Sequence, residues 1–212
     1  MKVIDLSHTI SPDMPVFPGT QPPIFKVPVS IDIDGYLEKK MTLFSHTGTH
    51  VDAPAHMIKE AATLDQMAIN QFTGNGFIID VSDFKYLSIT KDYLINFQDK
   101  FEGNDFVLIH SGWSDYWGND NYFKDYPVLD QEAANWISQF NIKGIGIDMI
   151  SVDTIDSTEH INHKILLDKG FIIVENLNNL KYLKNNSFTF YCFPLKITSA
   201  DGAPTRAVAI LP

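Results

Sequence analysis

The sequence predicts a mixed α/β fold in a single domain, and three observations lead to this prediction. A chain of 212 residues with 44% hydrophobic and 20% charged residues suits one globular unit with a sizeable core. Short apolar runs rich in β-branched residues recur along the chain, so that predicted strands outnumber predicted helices. Helical segments intervene between those strands, as they do in α/β proteins. We therefore expect one domain over residues 1–212.

The predicted strands are short and bounded by turn residues. Residues 11–28 contain six prolines and predict an irregular loop, and residues 201–204 (Asp-Gly-Ala-Pro) predict a turn between the last two strands. The strands are predicted at residues 3–6, 24–30, 36–46, 76–81, 106–109, 144–147, 171–174, 187–195 and 206–211.

Four segments carry apolar residues at helical spacing and predict helices. Thr90 is a suitable N-cap for one of them, and Gly170 suits the left-handed residue that ends another. From Trp113 to residue 126 the chain is rich in aromatic residues, which predicts either a cover over a functional site or part of a subunit interface. The predicted helices are residues 64–72, 90–97, 130–140 and 158–168.

The composition narrows the classes of partner. A formal net charge of −10 with no basic run argues against a nucleic-acid partner, although a bound metal ion can reverse the local field for an anionic substrate. The single cysteine, Cys192, has no partner for an intramolecular disulfide and lies in an apolar run. The first five residues turn polar at once and the apolar runs are too short to span a membrane, so we expect a cytoplasmic protein.

The most informative stretch is residues 45–56, which hold three of the seven histidines. Glycine and β-branched residues within it, and a proline near its end, disfavour a helix. In an extended chain, His46, His50 and Asp52 share one parity and point to one face. Two imidazoles and a carboxylate buried together are costly unless a cation pairs with them. This pattern therefore predicts half of a metal site.

Further ligand candidates follow in the second half of the chain. His160 and His163 stand three apart on a predicted helix and so share a face. Glu175 ends an apolar strand, where a lone carboxylate is costly to bury. His110, at the end of another strand, stands where functional groups often lie, and its role stays open. Taken alone, each of these histidines is more typical of an exposed helix surface than of a metal ligand.

The motif at residues 46–56 (His-Thr-Gly-Thr-His-Val-Asp-Ala-Pro-Ala-His) resembles the signature of the cyclase family of metal-dependent hydrolases, which includes the bacterial kynurenine formamidases, or arylformamidases. The resemblance extends over nearly the whole chain and implies a cyclase-like swivelling β/β/α architecture. Further stretches that resemble the family lie at residues 5–7, 15–19, 112–114, 132–134, 148–156, 175–177 and 201–206.

The resemblance implies two divalent metal ions per subunit. His46, His50 and Asp52 match the ligands of a first ion. His163 and Glu175 match the ligands of a second ion, with Asp52 and Glu175 as bridges. Histidine and carboxylate ligands suit zinc, which is our first choice, and manganese fits the carboxylate bridges as well.

Two further positions concern the reaction itself. His56 matches the catalytic histidine of the family, and Pro54 is expected to turn the chain so that His56 faces the site from its rim. Phe17 stands where kynurenine formamidases carry a tryptophan, and it is either a core residue or a substrate-binding wall of the pocket. His160 falls outside the family pattern and is expected beside the ligands rather than among them. Asp201 and Arg206 either hold the closing turn together, which we favour, or line the pocket.

The resemblance implies an enzyme that hydrolyses amides with a metal-activated water. Our first expectation is an arylformamidase that cleaves N-formylkynurenine to kynurenine and formate, and the alternative substrate is another aryl amide or an isatin-like cyclic amide. A third hypothesis is a metal-binding oligomer without turnover. The ligand types favour catalysis over a structural role. Structural zinc sites commonly contain several cysteines, and this chain has only a single cysteine. The family resemblance also implies a homodimer or homotetramer.

Overall fold

The computed structural model describes residues 1–84, 86–184 and 186–212. The helices are α1 (Ile31–Asp34), α2 (Lys91–Leu94), α3 (Gln98–Phe101), α4 (Gln131–Ile137) and α5 (Ile161–Asp168). The strands are β1 (Lys2–Asp5), β2 (Ile24–Val29), β3 (Glu38–Thr42), β4 (His50–Asp52), β5 (Thr73–Asp80), β6 (Ser88–Ile89), β7 (Phe106–His110), β8 (Val128–Leu129), β9 (Gly144–Ile147), β10 (Ile172–Glu175), β11 (Phe188–Tyr191), β12 (Gly202–Pro204) and β13 (Val208–Leu211).

Nine of these strands form one sheet in the order β1-β13-β11-β5-β7-β9-β10-β4-β12. The central strands β5, β7, β9 and β10 run parallel, and the strands on both flanks are antiparallel. Strands β7, β9 and β10 are buried throughout, which explains why they appear in the sequence as unbroken apolar runs. This is a mixed α/β fold, as predicted.

The core lies on both faces of the sheet. Val107 and Ile109 of β7 point to one face, where the buried sides of α4 and α5 cover them. Phe106 and Leu108 point to the other face, against Val51 and the C-terminal strands. Alternate side chains along this one strand therefore belong to two apolar layers, one on each face of the sheet.

One flank of the sheet brings distant polar residues together. Strand β4 lies between β10 and β12, with Glu175 opposite His50 on one side and Gly202 opposite Asp52 on the other. These pairings join three segments that are far apart in sequence, and they build the candidate site described below.

Several sequence predictions are confirmed by the structure. The Thr90 hydroxyl accepts a hydrogen bond from the Tyr93 amide, and the Asp130 carboxylate caps α4 by accepting one from the Ala133 amide at 2.7 Å. Gly170 has φ of +78° just after α5, the left-handed conformation that glycine adopts without strain.

Other predictions of secondary structure were wrong. Residues 64–72 form a 3₁₀ turn only at Ile69–Phe72, because the Leu64 amide donates to the distant carbonyl of Ala200. The predicted turn at 201–204 contains strand β12, which pairs with β4. The predicted helix at 158–168 begins only at Ile161, because His160 has φ of +49°. The predicted strands at 36–46 and 187–195 end earlier, at Thr42 and Tyr191.

The aromatic segment packs on its own chain. The buried Tyr122 donates its hydroxyl hydrogen to Asn176 Oδ1 at 2.7 Å, and Tyr126 donates to the Asp153 carbonyl at 2.7 Å. Cys192 is buried, and burial raises the pKa of its thiol. Across the described ranges, no helix combines the length and the apolar character needed to cross a bilayer.

Candidate metal centre

Three side chains from residues 46–52 meet at one point. His46 Nδ1 lies 2.7 Å from Asp52 Oδ1, and His50 Nε2 lies 3.1 Å from the same oxygen. Only His50 and Asp52 share an extended strand, because Gly48 has φ of +65° and turns the chain between the two histidines. The predicted convergence is therefore present, but a turn before β4 brings His46 in.

A second group of three side chains shares Asp52 with the first. His163 Nε2 lies 3.3 Å from Glu175 Oε1 and 3.7 Å from Asp52 Oδ2. Glu175 Oε2 lies 3.6 Å from His50 Nε2, so both carboxylates face both halves of the cluster. Within each group the ligand atoms lie within 4.8 Å of one another, which is close enough to surround a cation. The geometry thus offers two adjacent cation positions with Asp52 between them.

Outer hydrogen bonds orient the imidazoles. Nδ1 of His163 lies 2.7 Å from Asp153 Oδ2, and Nδ1 of His50 lies 2.8 Å from the Gly48 carbonyl oxygen. Each contact assigns a proton to Nδ1 and directs Nε2 at the cluster, where Nε2 can bind a cation once it carries no proton. Contacts of this kind are typical of metal-binding histidines.

The carboxylates of the cluster stabilise positive charge on the neighbouring imidazoles. Burial alone would lower the pKa of His163, but Asp153, Glu175 and Asp52 outweigh it and raise the pKa to about 10. Burial likewise opposes the effect of Asp52 and Asp201 on His46, whose pKa is raised to about 9.

The residues present fit a divalent cation. Nε2 of His50 and Oδ2 of Asp52 are both buried, and neither has a hydrogen-bond partner among the residues that the structure describes. Buried polar atoms without partners are costly, and these two face the same small volume. Imidazole nitrogen and carboxylate oxygen are ligands that zinc and manganese accept.

His56 lies at the edge of this cluster. It ends a 3₁₀ turn, Pro54–His56, and its ring centroid lies 3.9 Å from that of His46. Its side chain is 24% exposed, against 5% for His163, so His56 faces solvent and the cluster together. Burial lowers the pKa of His56, and the charges on His46 and His163 lower it further against the opposing effect of Asp52.

Asp201 belongs to the site, which is the less favoured of the two alternatives expected from the sequence. Its Oδ2 lies 2.9 Å from His46 Nε2 and 3.3 Å from His56 Nδ1. Gly202 makes this approach feasible, because a Cβ there would lie 2.6 Å from Cε1 of His46. Arg206 instead forms a two-point ion pair with Asp5, with contacts of 2.9 and 2.6 Å. Of the two alternatives for the closing segment, Arg206 therefore has the structural role, although its partner is Asp5 and not Asp201, and Asp201 belongs to the site.

A cavity of about 270 Å³ opens onto the cluster. Phe17 forms part of its wall, and so does His160, whose ring centroid lies 6.1 Å from that of His163. His110 is not part of this cavity, because its Nδ1 contacts Asp80 Oδ1 at 2.9 Å on another side of the sheet. The cavity is lined by residues 15–17, Thr20, His46, Gly48, His50, His56, Met57, Ile150, Ser151, His160, His163, Glu175 and Asn176.

Comparison with known proteins identifies the family. A family profile described as "Putative cyclase" matches residues 4–154. The chain is 34% identical to an uncharacterised protein of Methanocaldococcus jannaschii over the whole of both chains. It is also 34% identical to a kynurenine formamidase of Bacillus mycoides, over 97% of this chain and 95% of that protein.

Solved structures show the same architecture. An isatin hydrolase bound to the product analogue thioisatinate superposes with a TM-score of 0.91 at 22% identity, over 100% of this chain and 92% of that one, which shows the shared fold. Isatin hydrolase A from Ralstonia solanacearum has a TM-score of 0.87 at 26% identity, over 100% and 92% of the two chains. A "predicted metal-dependent hydrolase" from Bacillus stearothermophilus has a TM-score of 0.82 at 30% identity, over 98% and 97%.

The fold and the site thus resemble those of proteins described as metal-dependent hydrolases. The chain belongs to the cyclase family, in which the named relatives are hydrolases.

Proposed function

We propose that this protein is a metal-dependent amide hydrolase and that its substrate is N-formylkynurenine, cleaved to kynurenine and formate. The observation that carries the proposal is the cluster of His46, His50, Asp52, His163 and Glu175 at the base of a cavity, with an unbonded histidine nitrogen and carboxylate oxygen buried in it. The kynurenine formamidases that match over nearly the full length support the choice of substrate.

The two groups of side chains would hold two divalent ions. His46, His50 and Asp52 would bind one ion, and His163 and Glu175 would bind the other, with Asp52 shared between them. Ions in such a site make water a stronger acid and stabilise the negative charge that develops on a carbonyl oxygen. Zinc is our first choice on ligand type, and manganese is the second.

His56 is the proton carrier in this proposal. Its lowered pKa keeps the imidazole neutral at pH 7, and Asp201 accepts the hydrogen bond from Nδ1, which leaves the Nε2 lone pair free. Nε2 accepts a proton as water adds to the formyl carbon, and it returns that proton to the aniline nitrogen when the C–N bond breaks. The products are the free amine and formic acid, which ionises to formate and releases one proton to the solvent, so atoms and charges balance.

Phe17 is the substrate-binding residue in this proposal. Its ring forms a wall of the cavity beside the cluster, together with the side chains of Met57 and Ile150. An aromatic ring can stack there on the aryl group of a formanilide, although phenylalanine has no N–H donor with which to hold a polar substituent. The cavity volume of about 270 Å³ suits a single substituted ring rather than a polymer.

A cyclic amide of the isatin type is the second candidate substrate. The isatin hydrolase of Ralstonia solanacearum, at 26% identity over the whole chain, is the observation that favours it. Ring opening of a cyclic amide needs the same proton transfers at the same atoms, but it releases no second product. The two candidates can therefore be distinguished by formate release.

The experiment compares both substrates on one preparation. Metal-free protein reloaded with zinc or with manganese should hydrolyse N-formylkynurenine at a rate typical of enzymes and release one formate for each amine. His56→Ala should abolish most of this turnover, while His8→Ala, which alters a histidine stacked on Trp117 outside the cavity, should not.

Other outcomes would change the conclusion. Turnover of isatin without turnover of N-formylkynurenine would replace the first substrate with the second. No turnover of any amide by a protein that binds two ions would contradict hydrolysis and support the hypothesis of a metal-binding oligomer. Unchanged turnover in His56→Ala would remove His56 from the mechanism.

A further inference from the structure

His160 has an unusual backbone conformation at the start of α5. Its φ of +49° and ψ of +50° lie in the left-handed region, which residues other than glycine seldom adopt. The His160 amide donates to the Ser157 hydroxyl at 3.1 Å, and its carbonyl oxygen accepts from the Lys164 amide at 3.1 Å. Residues held in such conformations are concentrated at ligand-binding and catalytic sites. The backbone alone therefore gives a reason to ask what the His160 side chain binds.

The His160 side chain does not stabilise the helix that it precedes. A side chain at this position ordinarily accepts a hydrogen bond from one of the first amides of the helix, and His160 makes no such bond. Asp153 caps α5 instead, because its Oδ1 accepts from the Asn162 amide at 2.9 Å and its Oδ2 from the His163 amide at 3.1 Å. Helix capping therefore does not account for the imidazole of His160.

The His160 ring lines the cavity and keeps its hydrogen-bonding capacity. Its side chain is half-buried, and within the described ranges the ring takes part in no side-chain hydrogen bond. A carboxylate oxygen of Asp153 lies within 4.8 Å of a ring nitrogen, but the Asp153 carboxylate already accepts from three N–H groups, including Nδ1–H of His163. An imidazole donates at least one N–H in its neutral and in its protonated form. The cavity therefore offers a hydrogen-bond donor at His160.

Other polar side chains of the cavity wall are already engaged. The Ser151 hydroxyl accepts a backbone amide at 3.2 Å, and the Asn176 amide group accepts one hydrogen bond at 2.7 Å and donates another at 2.9 Å. Among the described lining residues outside the metal cluster and His56, this leaves Thr20 and His160. Of these two, only the imidazole can carry a positive charge, and charged donors form the strongest hydrogen bonds with carboxylates. The wall therefore favours His160 as the partner of an anionic group.

We propose that His160 is a specificity-determining residue whose imidazole donates a hydrogen bond to a carboxylate carried by the aryl amide substrate. This inference rests on the proposed function and names the part of N-formylkynurenine that the site selects, which is the carboxylate at the end of its side chain. The formamide group then lies at the metal cluster, the aryl ring stacks on Phe17, and the carboxylate lies at His160. His160 contributes to binding and discrimination and takes no part in proton transfer.

The dimensions of the cavity allow this contact. The ring centroids of His160 and His163 lie 6.1 Å apart. The carboxylate of N-formylkynurenine is several bonds from the formyl carbon, about 5–8 Å away at ordinary bond lengths. A formyl group at the cluster that contains His163 therefore places the carboxylate within reach of the His160 ring. Isatin has no carboxylate, so His160 favours the acyclic substrate over the cyclic one.

The test pairs variants of His160 with two substrates. N-Formylkynurenine carries the carboxylate, whereas 2-formamidoacetophenone keeps the ring, the ketone and the formamide without it. His160→Leu should reduce kcat/KM for N-formylkynurenine about 10–100-fold, mainly through KM, because it removes a hydrogen bond to a charged group. The same variant should leave kcat/KM for 2-formamidoacetophenone nearly unchanged. Calorimetric binding of kynurenine, the amine product, should weaken by a similar factor, and that readout needs no turnover.

Two further variants separate the donor from the backbone. His160→Gln keeps an N–H donor of similar reach and should recover part of the selectivity that His160→Leu loses. His160→Asn suits the left-handed conformation but has a shorter amide, so it should lose selectivity as His160→Leu does. The control is Glu159→Gln, which changes an exposed charge one residue away and should leave both substrates unaffected. Metal analysis and circular dichroism should show that each variant binds as many ions as the wild type and remains folded.

Two sets of results would overturn the inference, and they are distinguishable. Equal losses for both substrates in His160→Leu, or no loss for either, would remove His160 from substrate selection while the wild type still hydrolyses N-formylkynurenine. His160→Gln that is no more selective than His160→Leu would do the same. A metal-loaded wild type that does not hydrolyse N-formylkynurenine would instead overturn the proposed function, and this inference with it.

Discussion

Asp201 Oδ2 and His56 Nδ1 lie 3.3 Å apart although 145 residues separate them in sequence. The pairing of β12 with β4 brings them together, and the same carboxylate oxygen also reaches His46 at 2.9 Å. Asp201 therefore links the proposed proton carrier to the proposed metal ligands. It acts through the two histidines and touches neither a substrate nor an ion in our account.

Asp201→Asn should reduce kcat/KM about 10–100-fold, because partners of ligand and catalytic histidines typically contribute that much. The hydrogen bond that His56 donates to Asp201 raises the pKa of His56, so its loss should move the acid limb of the pH–rate profile to lower pH. The measurement is kcat/KM from pH 5 to pH 9. Asp13→Asn, at an exposed position, is the control, and an unchanged profile in Asp201→Asn would refute the link.

Gly202→Ala should impair metal binding without unfolding the protein. The new Cβ would lie 2.6 Å from Cε1 and 2.9 Å from Nε2 of His46, and 3.0 Å from the Val51 carbonyl oxygen, so His46 must move. We expect at least a ten-fold loss of affinity for one of the two ions, measured by metal analysis after dialysis. Gly74→Ala introduces a comparable clash, with Asp105 away from the cavity, and should keep both ions.

Zinc binding should strengthen as pH rises from 7 to 9. His46 and His163 have pKa values raised to about 9 and about 10, so both carry a proton at pH 7 that an ion must displace. Uptake of two ions at pH 7 should release about two protons, and the apparent affinity should rise about ten-fold per pH unit. Calorimetry in buffers of different ionisation enthalpy measures the protons, and binding that does not vary with pH in this range would contradict the assignment.

Phe17→Ala should weaken substrate binding more than it slows the chemical step. Loss of a stacked aromatic wall typically reduces affinity by about ten-fold, and Phe17 contacts the cavity rather than the cluster. The measurement is KM and kcat for an aryl amide and for an acyclic formamide without a ring. A change in KM confined to the aryl substrate supports the role, whereas an equal change for both would indicate a general defect of the loop.

Much of the architecture could be predicted from local patterns. The unbroken apolar run at residues 106–109 predicted a buried strand, and Asp130 predicted the start of α4 because a capping side chain acts within one turn. The helix predicted at 64–72 failed because a long-range bond from Leu64 to Ala200 overrides the local apolar spacing. Strand β12 has no apolar run, and only its pairing with β4 makes it a strand.

The candidate site also combines residues that local patterns reveal with a residue that only a long-range contact reveals. The motif at residues 46–56 is local, so its three histidines and Asp52 could be found in the sequence. A helix face and a strand end singled out His160, His163 and Glu175 as candidates, and the resemblance to the family then selected His163 rather than His160 as a ligand. Asp201 had no such pattern, since an Asp-Gly pair is common in turns. Its one signal is the adjacent Gly202, which permits close approach, and that signal has meaning only once His46 is known to lie opposite.

Hydrolysis of N-formylkynurenine during titration of the metal-free protein with zinc tests the proposed function. We predict negligible turnover without metal and a rise in kcat that reaches its limit when two ions are bound per chain. The control variant Glu159→Gln should behave as the wild type. In Glu175→Gln, binding of the second ion should not increase kcat. Full turnover by the metal-free protein, or a titration with zinc and with manganese that never yields turnover of this substrate, would contradict the proposed function.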